Sequence, residues 1–184
     1  MTLAEQALSF DRERRILAAV ETYEQAIKSI DAPLWAILNL EGIYWDACSG
    51  PGCSFPEVQD DLLNRGGGGY RLLEIMQIAK ARFPESTVAE FWRRYILMRW
   101  LDDDFPQDAC QQIFDRDPSE QTPLLYLYAF DGGRKWEPEA RQLLARFKAE
   151  GTVLATSAAS FLTSVMKHYD REDQLRKRNG DAAS

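Results

Sequence analysis

The sequence predicts an all-α domain of about four antiparallel helical hairpins, stacked as a short solenoid or an irregular bundle. Three observations carry this. A small or apolar residue is followed four positions later by a bulky one in the pairs Ala79/Phe83, Cys110/Phe114 and Leu143/Phe147, which recur every 31 to 33 residues. Recurrence at this interval is the mark of stacked helical hairpins, in which each unit completes its core against the next. Apolar residues between these points follow three- and four-residue spacings, which place them on one side of a helix. Prolines and glycines fall between the periodic runs, where they end helices.

In order, residues 9–30 read as one helix, with Ile16, Val20, Tyr23, Ile27 and Ile30 on a single face and Ala26/Ile30 as a fourth repeat pair. Pro33 disfavours helix in the residue before it and ends the run. Residues 34–48, carrying Leu34, Ile37, Leu38, Tyr44 and Trp45, make the second helix of the first hairpin. Residues 49–70 interrupt the repeat with Gly50, Pro51, Gly52, Pro56 and four consecutive glycines, Gly66 to Gly69. They read as an irregular, mobile insertion holding one short helix near 57–64.

Residues 70–83 resume the pattern through Leu72, Ile75, Met76 and Ala79. Thr87 and Glu90 have the spacing of a capping box that opens the next helix. That helix, which holds Phe91, Trp92, Tyr95 and Ile96, is apolar almost all round and is expected to lie centrally. Residues 107–130 form a third unit. Its segment Leu124 to Tyr128 has strand propensity, but its position in the repeat favours helix. Pro138 suits a first helical position, Gly151 stops that helix, and Thr152 caps the last one. The last helix shows Leu154, Ala158, Phe161, Leu162, Val165 and Tyr169. Residues 1–169 therefore form one helical domain, and 170–184 a flexible polar tail.

Hairpins of this length make the chain resemble an α-solenoid of the tetratricopeptide type over residues 10–169 without the insertion. The resemblance lies in period and pattern, with Ala79 and Phe83 matching that family's Ala-x3-Phe element. It implies a partner-binding surface. No binding residues are carried over, because Gly66, Gly67 and Tyr70, at the family's earlier offsets, fall in the glycine run.

Composition narrows the function. The chain has 184 residues, 45% of them hydrophobic, and a net charge of −7. Residues 102–120 hold Asp102, Asp103, Asp104, Asp108, Asp115, Asp117 and Glu120 against Arg116 alone, a local charge of −6. Such a field repels phosphate backbones, which argues against nucleic acid, and it steers a basic protein toward the chain. These seven acids are the candidate partner-binding edge, although acidic runs also serve solubility. No run of about 18 apolar residues is present to span a membrane. The first 15 residues lack the apolar core of a signal peptide, and three cysteines suit a reducing cytoplasm. Arginine outnumbers lysine 16 to 6, in keeping with a GC-rich bacterial genome.

Residues with catalytic or ligating chemistry are sparse. Cys48 and Cys53 admit a disulfide, or zinc binding if Cys110 and the single histidine, His168, complete the set, but ordinary reduced thiols fit the spacing best. The glycine run lacks the Lys-Ser/Thr ending of a phosphate loop. Asp115 and Asp117 lack the glycine and terminal glutamate of a calcium loop. His168 has no identifiable nucleophile or orienting partner. No cofactor or metal is expected.

The residues thus point to a non-catalytic protein-binding module. Its most concrete form is a small acidic bacterial immunity or inhibitor protein that blocks a basic toxin or effector. The alternatives are an adaptor, chaperone or regulatory subunit, and a carboxylate-based hydrolase. The exposed ends of a short stack make a homodimer possible.

Overall fold

The computed structural model describes residues 1–65, 69–130 and 135–181, except for the side chains of 65 and 177–181. Among the described residues every regular element is helical: α1 (Leu3–Arg12), α2 (Ile16–Ala26), α3 (Leu34–Ala47), a 3₁₀ turn (Gly50–Gly52), α4 (Pro56–Arg65), α5 (Gly69–Arg82), α6 (Thr87–Leu101), α7 (Gln107–Arg116), α8 (Leu124–Phe130), α9 (Glu137–Glu150) and α10 (Val153–Asp181).

The all-α expectation holds, and Leu124 to Tyr128 are helical. The expected single helix over 9–30 is instead a hairpin. Thr2 and Glu5 form a capping box that starts α1 at Leu3. Arg14, at φ +60°, then reverses the chain so that α2 folds back on α1. The turn carries Asp11 into the interior. Helix α2 ends at Ala26, so Ile30 lies beyond it and is 76% exposed. The Ala26/Ile30 pair therefore does not repeat the others. In the three later pairs, Ala79, Cys110, Leu143 and Phe147 are buried and Phe83 and Phe114 are partly so.

The most enclosed helix is α3 rather than α6. Ten of its residues are buried, and it packs against α1, α2, α4, α5, α6 and α10. A helix apolar on nearly every side belongs in the centre. Helix α6 has a wetter flank, where Arg93, Arg94 and Arg99 sit. Its rings Phe91 and Tyr95 nonetheless stack at 5.5 Å. Tyr95 meets Trp45 of α3 and Phe161 of α10 edge-on at 6.0 and 6.2 Å, and this cluster ties the three helices together.

Close approach of α3 and α10 depends on Gly42. A β-carbon there would lie 2.5 Å from Leu154 Cβ. The start of α10 is fixed by the N-terminal hairpin, far away in sequence. The Val153 N–H donates to Asp11 Oδ1 at 2.9 Å, Arg12 Nε donates to the Glu150 carbonyl at 2.9 Å, and Arg14 donates to Thr156 Oγ1 at 2.5 Å. Asp11 therefore supplies the acceptor that a helix N-terminus lacks. Thr152 takes a second free donor, the Ala155 N–H, and Gly151 ends α9 in the left-handed conformation, both as the sequence predicts. The first and last hairpins meet, and α10 lies back along α3, closing the helices into a bundle.

Three further expectations change. Ser86, one residue before Thr87, caps α6 by accepting the Ala89 N–H, while Glu90 pairs with Arg94 at 3.0 Å and with Arg116. The described part of the 49–70 insertion is packed rather than loose. Buried Asp46 accepts the Ser54 N–H and hydroxyl, each at 2.7 Å, and Phe55 and Leu62 reach the core. Of the expected tail, residues 170–181 continue α10 as helix, and 182–184 lie outside the described residues.

Candidate partner-binding groove

Where the N-terminal half of α3 faces the end of α9, the surface sinks into a groove of about 380 Å³. Helix α3 contributes Leu34, Trp35, Leu38 and Asn39, α6 contributes Val88 and Trp92, and α9 contributes Arg146, Phe147 and Glu150. Pro33 starts α3 and so sets its first turn at the rim. Trp35 remains 38% exposed there, while Trp92 is buried. The four-residue step from Arg146 to Glu150 puts both polar groups on one side of α9.

Arg146 organises the polar wall. Its guanidinium donates to Thr122 Oγ1 at 2.7 Å and to Glu120 Oε1 at 3.4 Å, and it lies 5.3 Å from the centre of the Phe147 ring. Its Nε is 3.4 Å from Glu150 Oε1, without hydrogen-bond geometry. Glu120 also accepts the Thr122 N–H at 2.8 Å and the Thr122 hydroxyl. One guanidinium thus serves two carboxylates. Burial pushes the Glu150 carboxyl above its ordinary range; Arg146 pulls it down, but Glu120 adds to the upward push.

A buried polar chain supports the groove from behind. Asn39 donates to the Tyr23 oxygen at 3.2 Å, and the Tyr23 hydroxyl donates to Asp11 Oδ2 at 3.4 Å. Burial pushes Asp11 up to about 6, against the opposing effect of the Val153 N–H and nearby arginines. The same burial pushes the Tyr23 phenol well above its usual range. The chain fixes the orientation of Asn39 at the groove and joins it to the cap of α10.

The seven predicted acids do not form one continuous edge. Asp102, Asp103, Asp104 and Asp108 are exposed at the start of α7, and Asp115, Asp117 and Glu120 lie at or beyond its end. The helix between them spans roughly 15 Å at 1.5 Å per residue. Asp115 accepts from Gln111 at 2.8 Å, and Asp117 accepts the Ser119 hydroxyl at 2.5 Å. Glu120 alone enters the groove. Asp117 lines a second depression, of about 470 Å³, together with Glu85 and Arg116; it shares Val88 and Glu120 with the first.

The sequence reading missed Trp35, Glu85, Arg146 and Glu150 as site residues. They come from α3, α9 and the turn before α6, and no local motif links them. The Pro33-Leu34-Trp35 start of α3 is the one signal that placed an indole near a helix end.

The remaining candidates stand apart from the groove. Cys48, Cys53 and Cys110 are free thiols. Burial pushes all three up, Cys110 to about 12, and the Cys110 thiol donates to the Pro123 carbonyl at 3.5 Å. Among the described residues no cluster of three metal-ligating side chains occurs, and no helix is long and apolar enough to cross a membrane. His168 is exposed, 3.4 Å from Glu172. Of the glycine run, Gly66, Gly67 and Gly68 lie outside the described residues. Gly69 begins α5 against Trp100, whose ring leaves no room for a β-carbon. Comparison with protein families, curated proteins and solved structures gives no match.

Proposed function

We propose that this chain is a non-catalytic protein-binding module, most concretely a small acidic bacterial immunity or inhibitor protein that acts in the cytoplasm by blocking a basic toxin or effector. The observation that carries this reading is a preformed groove with an exposed indole at one end and a surplus of carboxylates at the other. Binding sites on proteins are typically concave, apolar and furnished with a few convergent polar groups. Rigid aromatic anchors supply much of the affinity in such contacts. The exposed aspartates before α7 add a long-range field that speeds the approach of a cationic partner. The scaffold is read as a variant helical-hairpin repeat of the tetratricopeptide kind, with its three core-packed pairs marking the period. A regulatory or adaptor subunit built the same way uses the same groove.

The test is association kinetics with a protein captured from the native host. Changing Asp102, Asp103 and Asp104 together to Asn should slow association about tenfold at low salt, and the difference should shrink near 0.3 M salt, where charges are screened within about 6 Å. An unchanged association rate contradicts the steering role, and a captured protein whose activity is unaffected by binding contradicts the inhibitor role.

A further inference from the structure

We infer that the groove receives an amphipathic segment of a protein partner, with an apolar side chain against Trp35 and Leu38 and an adjacent lysine or arginine directed toward Glu85, Asp117 and Glu120. This rests on the binding reading above and names the chemistry that the groove selects.

The two linked depressions divide by character. At the α3 end the wall is Leu34, Trp35, Leu38 and Trp92. At the far end Glu85, Asp117, Glu120 and Glu150 face Arg116 and Arg146, a surplus of two negative charges. Both arginines are already committed. Arg116 pairs with Glu90, and Arg146 is divided between Glu120 and Glu150. Among the described residues no cation pairs with Glu85 or Asp117. Arg12, the other cation near Glu150, is held on the Glu150 carbonyl instead of on its carboxylate. Burial, chiefly, and then the neighbouring Glu120 push Glu150 upward, and Arg146 and Arg12 do not fully offset them.

An incoming cation relieves that surplus of negative charge, whereas an incoming anion worsens it. The apolar end then decides what carries the cation. Trp35 offers a ring that is 38% exposed at the rim, a surface that free lysine or arginine leaves uncovered. A peptide segment covers both ends at once. Its apolar anchor gains buried area on the indole, and its cation gains partners in a half-enclosed site where screening is weaker than in open water. Phosphate-bearing ligands are opposed by the same carboxylates.

The experiment uses the full chain and fluorescently labelled 12-residue peptides, read by anisotropy. One peptide carries two leucines four residues apart followed by three arginines. A second replaces the arginines with glutamates, a third replaces the leucines with serines, and arginine amide serves as an unlabelled competitor. The expected result is binding of the first peptide alone. Its affinity should fall at least tenfold in Trp35→Ala and again in the double variant Glu85→Gln/Asp117→Asn; these side chains lie at the surface, and circular dichroism melting checks that each variant folds. Binding that Trp35→Ala leaves unchanged overturns the groove, as do equal binding of the glutamate peptide, displacement by arginine amide at the peptide's own concentration, or no binding by the first peptide. A native partner that binds tightly but is indifferent to Trp35→Ala removes this inference alone, while absence of any inhibited partner removes the broader function.

Discussion

Glu41 lies in the middle of α3, 1% exposed, and neither carboxyl oxygen has a hydrogen-bond partner among the described residues. Burial pushes it up from 4.5 to about 8, with Arg93 pulling the other way. At neutral pH it is therefore mostly protonated in the fold but ionised in the unfolded chain. The sign follows from linkage. A carboxyl with a raised folded pKa contributes its full stability below about pH 4.5, and that contribution is lost as pH rises toward 8. Glutamine keeps the shape and never ionises, so Glu41→Gln removes the loss. At pH 7 the gap between ordinary pKa and ambient pH corresponds to about 3 kcal/mol, and above pH 8 to about 5 kcal/mol, at 1.36 kcal/mol per unit. Urea unfolding of both proteins at pH 4.5, 7 and 8.5 measures it. With a slope of about 2 kcal/mol/M, the midpoint of the variant should lie about 1.5 M higher at pH 7 and nearly coincide at pH 4.5. A gap that does not change with pH, or a variant weaker at pH 8.5, refutes the reasoning.

Asp11→Ala leaves the Val153 N–H and the Tyr23 hydroxyl without their acceptor and should cost about 2 kcal/mol at pH 4. The cost should shrink by pH 7, because wild-type Asp11, pushed up to about 6, itself loses stability as pH rises from 3.8; urea midpoints at the two values check this. Gly42→Ala drives a β-carbon into Leu154, and overpacking of about 1 to 3 kcal/mol outweighs a gain in helix propensity near 1 kcal/mol. Calorimetry should show a melting temperature lower by about 2 to 6 °C; an unchanged or higher value means α3 and α10 are not in close contact.

Most of the helices could be read from the chain because each rests on short-range signals. Gly151 stops α9, Thr152 begins α10, Pro138 sits in the first turn of α9, and the spacing in α5 and α10 matches the faces they bury. The hinge at Arg14 could not be read. The apolar rhythm that starts at Ile16 begins only after the turn, and what holds the turn is the bond from the distant Val153 N–H to Asp11, which no local spacing signals. Ser86 won the cap over Thr87 because Thr87 is itself buried in the first turn. The centrality of α3 was hidden by Glu41 and Asp46, two acids that sequence reading places outside and the fold places inside. The groove shared this fate. Its acids were visible as a charge run, of which only Glu120 reaches the site, and Trp35, Glu85, Arg146 and Glu150 converge only once the first and last hairpins meet.

Amide hydrogen exchange of the chain, free and with a protein captured from the native host under the proposed function, locates the contact most directly. Protection is predicted in 34–39, 85–92, 117–122 and 146–155, with little change in α5. Protection confined to α5 or to the far part of α10, with the groove segments exchanging as in the free protein, would contradict the assignment of this groove as the binding surface.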